Sequence, residues 1–308
     1  MQLENIMEKN EDISKVLGQT VSYPDQYDPS ILVREPRQRN RTYLDIHDDK
    51  LPFFGFDTWN AYEVSAITRK GVPISGIAKI VYPCSSKYIV ESKSLKLYLN
   101  SFNMTSFACN KVESLYTTVT QIISRDLSKL LEAEVNVKVF PASKHYGMSE
   151  LQVYSHEVYD TLEDVVDLTD VAIDTYTEDP SLLQPFKKNI ANATRRYHSS
   201  LLKSNCKVTS QPDWGDIYIR IRSQYDIDLK GVLKYIVSFR DECHFHEEIC
   251  EAVYKRLSDT FSPSELCVTC LYARRGGIDI NPTRASSPSL LNTKLIFAGT
   301  PHQKTSRQ

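Results

Sequence analysis

The spacing of apolar residues changes several times along the first half of the chain. Runs of apolar, β-prone residues at 61–68 and 74–82, separated by a short turn, predict a β-hairpin. Apolar positions spaced three and four apart over 91–102 and again over 112–131 predict two amphipathic helices. Valines that alternate with polar residues over 135–139 predict a strand. The pattern therefore predicts a hairpin, two helices and a strand, in that order.

The second half of the chain repeats this order of elements. Its predicted elements are a hairpin with strands at 205–209 and 216–222 around Pro212 and Gly215, helices at 228–240 and 247–261, and a strand at 266–273. The segments 98–102 (YLNSF) and 235–239 (YIVSF) match in register, 137 positions apart. We interpret the chain as a duplicated ββααββ unit of the α+β class, in which an antiparallel sheet carries two helices on one face. The other face needs a second module, so we also expect an oligomer.

The duplication divides the chain into two predicted units, at residues 51–175 and 176–300. Residues 1–50 are polar and rich in Pro, Arg and Asp, and we interpret them as an arm that lies on a surface rather than as an independent domain. Residues 301–308 are left as a tail.

Charge and composition exclude several classes of function. With 37 Lys and Arg against 39 Asp and Glu, the net charge of −2 does not suit a protein that neutralises a phosphate backbone, so no direct nucleic-acid contact is expected. No apolar run approaches the roughly 18 residues of a membrane helix, and the first residues lack a secretory signal. Seven cysteines, an odd number, then favour reduced thiols and a cytoplasmic protein.

The common signatures of nucleotide binding, hydrolysis and metal binding are absent. No G-x-G-x-x-G, Walker A, H-E-x-x-H or G-x-S-x-G motif occurs, so a Rossmann dinucleotide site is not expected. Cys243, His244, His246 and Cys250 lack a second cluster that would supply clear zinc partners. We therefore predict no metal site.

The strongest local candidate for chemistry is the thiol of Cys206, near the start of a predicted strand. Asp213 follows seven residues later, at the predicted hairpin turn. A neighbouring cation such as Lys203 or Lys207 would favour the reactive thiolate, and Asp213 would protonate whatever the thiolate attacks. The alternative interpretation is a buried structural cysteine and an ordinary turn aspartate.

Three further segments each allow a structural and a functional interpretation. Glu247, within residues 245–248, either complements a helix dipole or accepts two parallel N–H bonds from a guanine-like edge. Residues 90–94 either cap a helix or cradle an anion. Residues 273–282 carry paired arginines ahead of two glycines, which either bind a phosphate group or form a solvated loop.

Several of these segments are similar to the motifs of one known family. The matching segments are 202–206 (LKSNC), 211–214 (QPDW), 245–247 (FHE) and 274–282 (RRGGIDINP), together with 51–59 and the helix at 91–102. They resemble the QueF family of nitrile reductases of the queuosine pathway, in its long, two-module form. The resemblance covers about 45–105 and 196–285, and it implies tandem tunnelling-fold (T-fold) modules, each of the ββααββ type.

The resemblance also implies an activity and a role for each matching residue. The activity is reduction of the nitrile of 7-cyano-7-deazaguanine to an aminomethyl group by two NADPH, with Cys206 forming a covalent thioimide and Asp213 acting as general acid. The implied substrate-binding residues are Val90, Glu91, Ser92, His246 and Glu247, with His246 also assisting proton transfer. The implied cofactor-binding residues are Ser92, Lys93, Arg275 and Gly276. Because these sets come from different halves, we expect the site at a module interface between the subunits of a homodimer.

Two rival functions stay open on the sequence. A cysteine-dependent nitrile or amide hydrolase would release ammonia without oxidising a cofactor. A catalytically silent T-fold protein would only bind a purine or a pterin. NADPH oxidation and covalent capture of the nitrile distinguish these alternatives from reduction.

Overall fold

The computed structural model describes residues 26–143, 158–188, 192–207, 210–301 and 308. The strands of these residues are β1 (Arg34–Pro36), β2 (Phe54–Ile67), β3 (Pro73–Pro83), β4 (Tyr88–Val90), β5 (Asn136–Pro141), β6 (Asp160–Thr161), β7 (Pro185–Lys188), β8 (Thr194–Cys206), β9 (Pro212–Arg222), β10 (Tyr225–Ile227), β11 (Cys243–His244), β12 (Glu265–Tyr272) and β13 (Ile278–Ala285). The α-helices are α1 (Gln38–Tyr43), α2 (Ser92–Asn100), α3 (Val112–Leu131), α4 (Leu162–Val165), α5 (Leu229–Ser238), α6 (His246–Phe261) and α7 (Thr293–Ile296).

One nine-stranded sheet runs through both predicted units. Its order is β11, β8, β9, β12, β13, β2, β3 and β5, and β6 pairs with β8. The long strands pair antiparallel, whereas the short β6 and β11 lie parallel to β8. The units join where β13 pairs with β2, from Ile278 opposite Ala61 to Ala285 opposite Phe54.

Helices α2, α3, α5 and α6 cover one face of this sheet, whereas the short α7 packs on the other face through Leu295. Helix α3 buries Leu115, Val119, Ile123 and Leu127, a four-residue spacing that lines one side of a helix. These residues belong to the apolar core of the first unit, and α5 and α6 contribute to a second core around β9 and β12. The predicted α+β class, with an antiparallel sheet and helices on one face, is confirmed.

The predicted order of elements is confirmed for the second unit, which runs β8, β9, α5, α6, β12, β13. The first unit runs β2, β3, α2, α3, β5. The last strand of its predicted ββααββ order would follow β5, where residues 144–157 lie outside the described residues. The predicted first strand at 205–209 is misplaced, since β8 ends at Cys206, and residues 208–209 lie outside the described residues. The predicted turn around Pro212 and Gly215 is also wrong, since both residues lie inside β9. Pro212 is tolerated there because it is the first residue of the strand. Gly215 lies against the Tyr272 ring, which a Cβ would approach to 3.1 Å.

The described part of the predicted arm does not simply lie on a surface. Strand β1 pairs with β4, and α1 follows it directly. Arg37 and Arg41 are 4% and 1% exposed, and their guanidiniums pair with Asp57 of β2 and Glu251 of α6, respectively. An arginine can be buried only with such partners, so the arm is anchored to both units. The predicted divisions of the chain at residues 50 and 175 stay predictions.

None of the helices in the described residues is both long enough and apolar enough to cross a membrane.

Candidate active site

A cavity of about 340 Å³ lies between the two units, at the end of the sheet where β8 ends and β9 begins. The first unit contributes Trp59, Val90, Ser92, Lys93 and Lys96 to its wall. The second unit contributes residues from the β8–β9 turn, the start of α6 and the β12–β13 connection. Nine of the ten predicted site residues line this cavity, which lies at the predicted interface between the modules. A contribution from a second subunit stays a prediction.

Cys206 is the last residue of β8 and is 9% exposed at the cavity wall. A tight turn fixes its backbone: its N–H donates to the Gln211 carbonyl at 2.8 Å, and its own carbonyl accepts from the Ser210 N–H at 2.8 Å. Ser210 has a φ of +55°, the left-handed conformation that closes this turn. The Lys93 Nζ lies 3.8 Å from the Cys206 Sγ. The thiol therefore faces the cavity beside a cation from the other unit.

Lys203 and Lys207, the two cations that the sequence analysis placed near Cys206, have other partners. Lys203 Nζ donates to Asn205 Oδ1 at 2.8 Å and also to the Arg240 carbonyl. Lys207 Nζ donates to Glu248 Oε1 at 2.8 Å. Both ammonium groups thus have partners other than the thiol, and the expectation that one of them activates Cys206 stays a prediction.

Asp213, the second residue of β9, is 8% exposed and lies beside the Arg275 guanidinium and the His246 ring. Arg275 Nη1 donates to its Oδ1 at 2.6 Å, and His246 Nε2 lies 3.4 Å from its Oδ2. Burial opposes ionisation of this carboxyl, but His246 and Arg275 outweigh burial and hold the pKa of Asp213 below its usual value. In the ligand-free protein Asp213 is therefore a carboxylate, and it must gain a proton before it can act as an acid.

His246 begins α6 and is held by stacking rather than by hydrogen bonds. Its ring lies parallel to that of Tyr272, with the centroids 3.8 Å apart and an interplanar angle of 20°. Within the described residues its Nδ1 is buried and has no hydrogen-bond partner. A buried ring nitrogen without a partner costs free energy, so it is available to a ligand in the cavity.

Glu247, the second residue of α6, is 2% exposed. Burial raises its pKa to about 8; the Asp57 charge acts in the same direction, and Arg37 and Arg284 oppose it. The Glu247 carboxyl, which the sequence analysis matched to a guanine-like edge, is thus largely protonated near neutral pH. A ligand that donates two N–H bonds would favour its ionised form.

The neighbouring Glu248 has a structural role. It accepts a hydrogen bond from the Phe245 backbone N–H at 3.0 Å, which caps α6, and it pairs with Lys207. Glu91 likewise caps α2: its carboxylate accepts from the backbone N–H groups of Lys93 at 2.9 Å and Ser94 at 2.7 Å. Glu91 is the one predicted site residue that does not line the cavity.

Basic groups and backbone converge at the other end of the cavity. Lys93, Lys96 and Arg275 line it, and Gly276 sits against the Lys96 side chain with a φ of +58°. The positive φ favours glycine here, whereas the Lys96 Nζ that a Cβ would meet at 3.1 Å is the end of a flexible side chain. Arg274 turns away and places its guanidinium 3.5 Å from the centroid of the Tyr62 ring. The side chains of Arg274 and Arg275 thus point in different directions, and of these two only Arg275 lines the cavity.

Sequence reasoning did not single out several residues of the cavity wall. Trp59, Lys96 and Gln211 lie within the segments whose resemblance was noted, and that was the only signal for them. Trp59 is 1% exposed, and its Nε1 has no hydrogen-bond partner among the described residues. Those residues also include no group of three His, Cys, Asp or Glu side chains arranged to hold a metal ion.

Comparison with known proteins defines the family. A family model described as "Nitrile reductase, 7-cyano-7-deazaguanine-reductase N-term" matches residues 23–139, and one described as "QueF-like protein" matches residues 212–289. The two matches fall one in each half of the chain, and both belong to one family of nitrile reductases. The chain belongs to the QueF family.

Three curated relatives carry one name, NADPH-dependent 7-cyano-7-deazaguanine reductase. The protein of Psychrobacter cryohalolentis is 42% identical, over 91% of this chain and 96% of its own length. The protein of Coxiella burnetii (strain CbuK_Q154) is 39% identical over 89% of this chain and 92% of its own. The protein of Legionella pneumophila (strain Lens) is 38% identical over 91% of this chain and 92% of its own.

Proposed function

We propose that the protein reduces the nitrile of 7-cyano-7-deazaguanine to the aminomethyl group of 7-aminomethyl-7-deazaguanine with two NADPH, a step of queuosine biosynthesis. One observation carries this proposal: Cys206, Asp213, His246 and Glu247 share a cavity with the basic groups of the other unit. The name shared by relatives that align with about nine tenths of the chain supports the same activity.

The residues present fit NADPH. Lys93 and Arg275 supply positive charge, Ser92 a hydroxyl group and Gly276 an open backbone, which are the groups that a 2′-phosphate and a diphosphate require. We assign these four residues to the cofactor and add Lys96 from the structure. The bound cofactor supplies hydride. The basic cavity accounts for cofactor binding in a chain that lacks a Rossmann glycine motif.

The substrate base is assigned to Glu247 and His246. An ionised Glu247 accepts the N1–H and the 2-amino N–H of the deazaguanine as two parallel hydrogen bonds. The free Nδ1 of His246 is a second contact for the base, and Val90 and Ser92 form the opposite wall. Glu91 supports this wall by holding the start of α2.

In the covalent step, the Cys206 sulfur attacks the nitrile carbon. A carbon–sulfur bond forms, one carbon–nitrogen π bond breaks, and the nitrogen takes a proton, which gives a thioimide. The proton balance is closed if the carboxylate of Asp213 accepts the proton that leaves the thiol and then delivers it to nitrogen. The low pKa of Asp213 supports this order, because only a carboxylate can accept that first proton.

Two measurements test the proposal. Addition of the nitrile should oxidise two NADPH per amine formed. The loss of NADPH absorbance measures the first quantity, and chromatography of the product measures the second. Ammonia release without NADPH oxidation would instead identify a hydrolase. Nitrile without NADPH should add its own mass to the protein, and Cys206→Ala should abolish the adduct. An unmodified wild-type protein at saturating nitrile would identify a silent binding module.

We further propose that the protein works as a cytoplasmic homodimer. The proposal rests on the sequence-based expectation that a sheet with its main helices on one face is covered by a second module on the other. Light scattering at micromolar concentration should give twice the chain mass of 35.3 kDa. A monomer at that concentration would contradict the proposal.

A further inference from the structure

We propose that Lys93 is a catalytic residue of the covalent step: without any bound cofactor, its ammonium group stabilises the thiolate that Cys206 forms when the thiol proton passes to Asp213. The resemblance assigned Lys93 to the cofactor alone. The proposal rests on the proposed function only for the identity of the electrophile.

The position of Lys93 is well defined by the chain around it. It is the second residue of α2, and its backbone N–H is held by the Glu91 carboxylate at 2.9 Å. From there its Nζ reaches across the boundary between the units to lie 3.8 Å from Cys206 Sγ. The contact therefore joins the two halves of the cavity directly at the reacting atom.

The other basic groups of the cavity face carboxylates instead. Arg275 pairs with Asp213 at 2.6 Å, and Lys96 lies 3.9 Å from Glu63. Within the described residues, no carboxylate oxygen lies within the 4.0 Å of a salt bridge from Lys93 Nζ. The sulfur is thus the partner that the structure places beside this ammonium group.

The chemistry of the step needs such a cation. A thiolate, not a thiol, attacks an electrophilic carbon, and a nearby ammonium group stabilises the thiolate. The titratable groups that share the cavity wall with Cys206 are Lys93, Lys96, Asp213, His244, His246, Glu247 and Arg275. Asp213 and Glu247 disfavour a second negative charge nearby when they are ionised, which makes a cation at the sulfur more necessary.

The test uses two reactions that need no NADPH. Cys206 is alkylated with iodoacetamide between pH 5 and 10, and its modification is followed by peptide mass, which separates it from the exposed Cys243. Lys93→Gln should move the pH midpoint of alkylation upward by about one unit and slow alkylation at pH 7 by about tenfold. Nitrile adduct formation should slow by a similar factor. Lys93→Arg, which keeps the charge, should recover most of both rates.

Lys207→Gln is the matched control, since this lysine is next to Cys206 in sequence and pairs with Glu248. It should leave the midpoint of alkylation unchanged. A wild-type midpoint and adduct rate in Lys93→Gln, with only the KM for NADPH raised, would overturn the proposal and leave Lys93 as a cofactor ligand. A shifted midpoint without any nitrile adduct in the wild type would support the role of Lys93 and overturn the proposed function.

Discussion

Replacement of Glu251 by glutamine tests how the buried charges hold the molecule together. The Glu251 carboxylate accepts from Arg41 at 2.8 and 2.9 Å and from Arg284 at 2.9 and 3.1 Å, and it is 2% exposed. Burial opposes its ionisation, but the charges of Arg284 and Arg41 outweigh burial and lower the pKa of Glu251 to about 2. These contacts connect the arm, β13 and α6 at one point.

The magnitude follows from that pKa. Relative to an ordinary value of 4.5, a pKa of about 2 corresponds to about 3 kcal/mol of stability at pH 7. Loss of one partner from a buried ion pair typically costs about 3 to 5 kcal/mol, which agrees. Glu251→Gln should therefore lower the free energy of unfolding by about 3 to 5 kcal/mol at pH 7.

The sign of the pH dependence gives a second check. Because the folded-state pKa of Glu251 is lowered, its contribution is complete above about pH 4.5 and is lost as pH falls towards about 2. The difference between wild type and Glu251→Gln should shrink over that range. Release of the arm should also expose the peptide bond after Arg41 to trypsin.

Urea unfolding at several pH values measures these effects. Glu265→Gln is the control, because Glu265 pairs with Arg220 and Arg222 at 3.0 Å at a quarter-exposed site. It should cost no more than about 1 kcal/mol. Equal losses for the two variants, or a difference between Glu251→Gln and wild type that does not change between pH 7 and pH 3, would refute the reasoning.

Three further predictions concern the cavity. Asp213→Asn should slow nitrile adduct formation about 10² to 10⁴-fold while iodoacetamide still alkylates the thiol, because only the proton relay is lost; equal slowing of both reactions would contradict this. Arg275→Gln should raise the pKa of Asp213, so the acidic limb of the adduct rate should move to higher pH, and an unchanged limb would show that Arg275 does not control this carboxyl. The third prediction uses Cys206→Ala, which binds the nitrile without forming the adduct. Its affinity, measured by calorimetry, should fall about tenfold for each pH unit below about 8, because the base binds the ionised form of Glu247. The double variant Cys206→Ala/Glu247→Gln should bind more weakly and show no such pH dependence.

Much of the fold could be predicted from the sequence alone. The helix at 112–131 and the start of the helix at 247–261 agree with the structure to within a residue, because apolar positions at helical spacing report a face that must be buried. The repeated order of elements likewise predicted two similar units. Strand ends were less certain, as the misplaced turn at Pro212 and Gly215 shows, because strand pairing depends on a partner elsewhere in the chain.

The residue types of the candidate site were also visible in the sequence, as a thiol and a carboxyl seven residues apart in one hairpin. Their partners were not, since Lys93 reaches Cys206 from 113 positions away, through contacts that the joining of β13 to β2 makes possible. The protonation states of Asp213 and Glu247 likewise depend on burial and on charges brought from other elements. Periodicity along a chain records which face of an element is buried, whereas the neighbours of a charged atom are decided only when distant elements pack together.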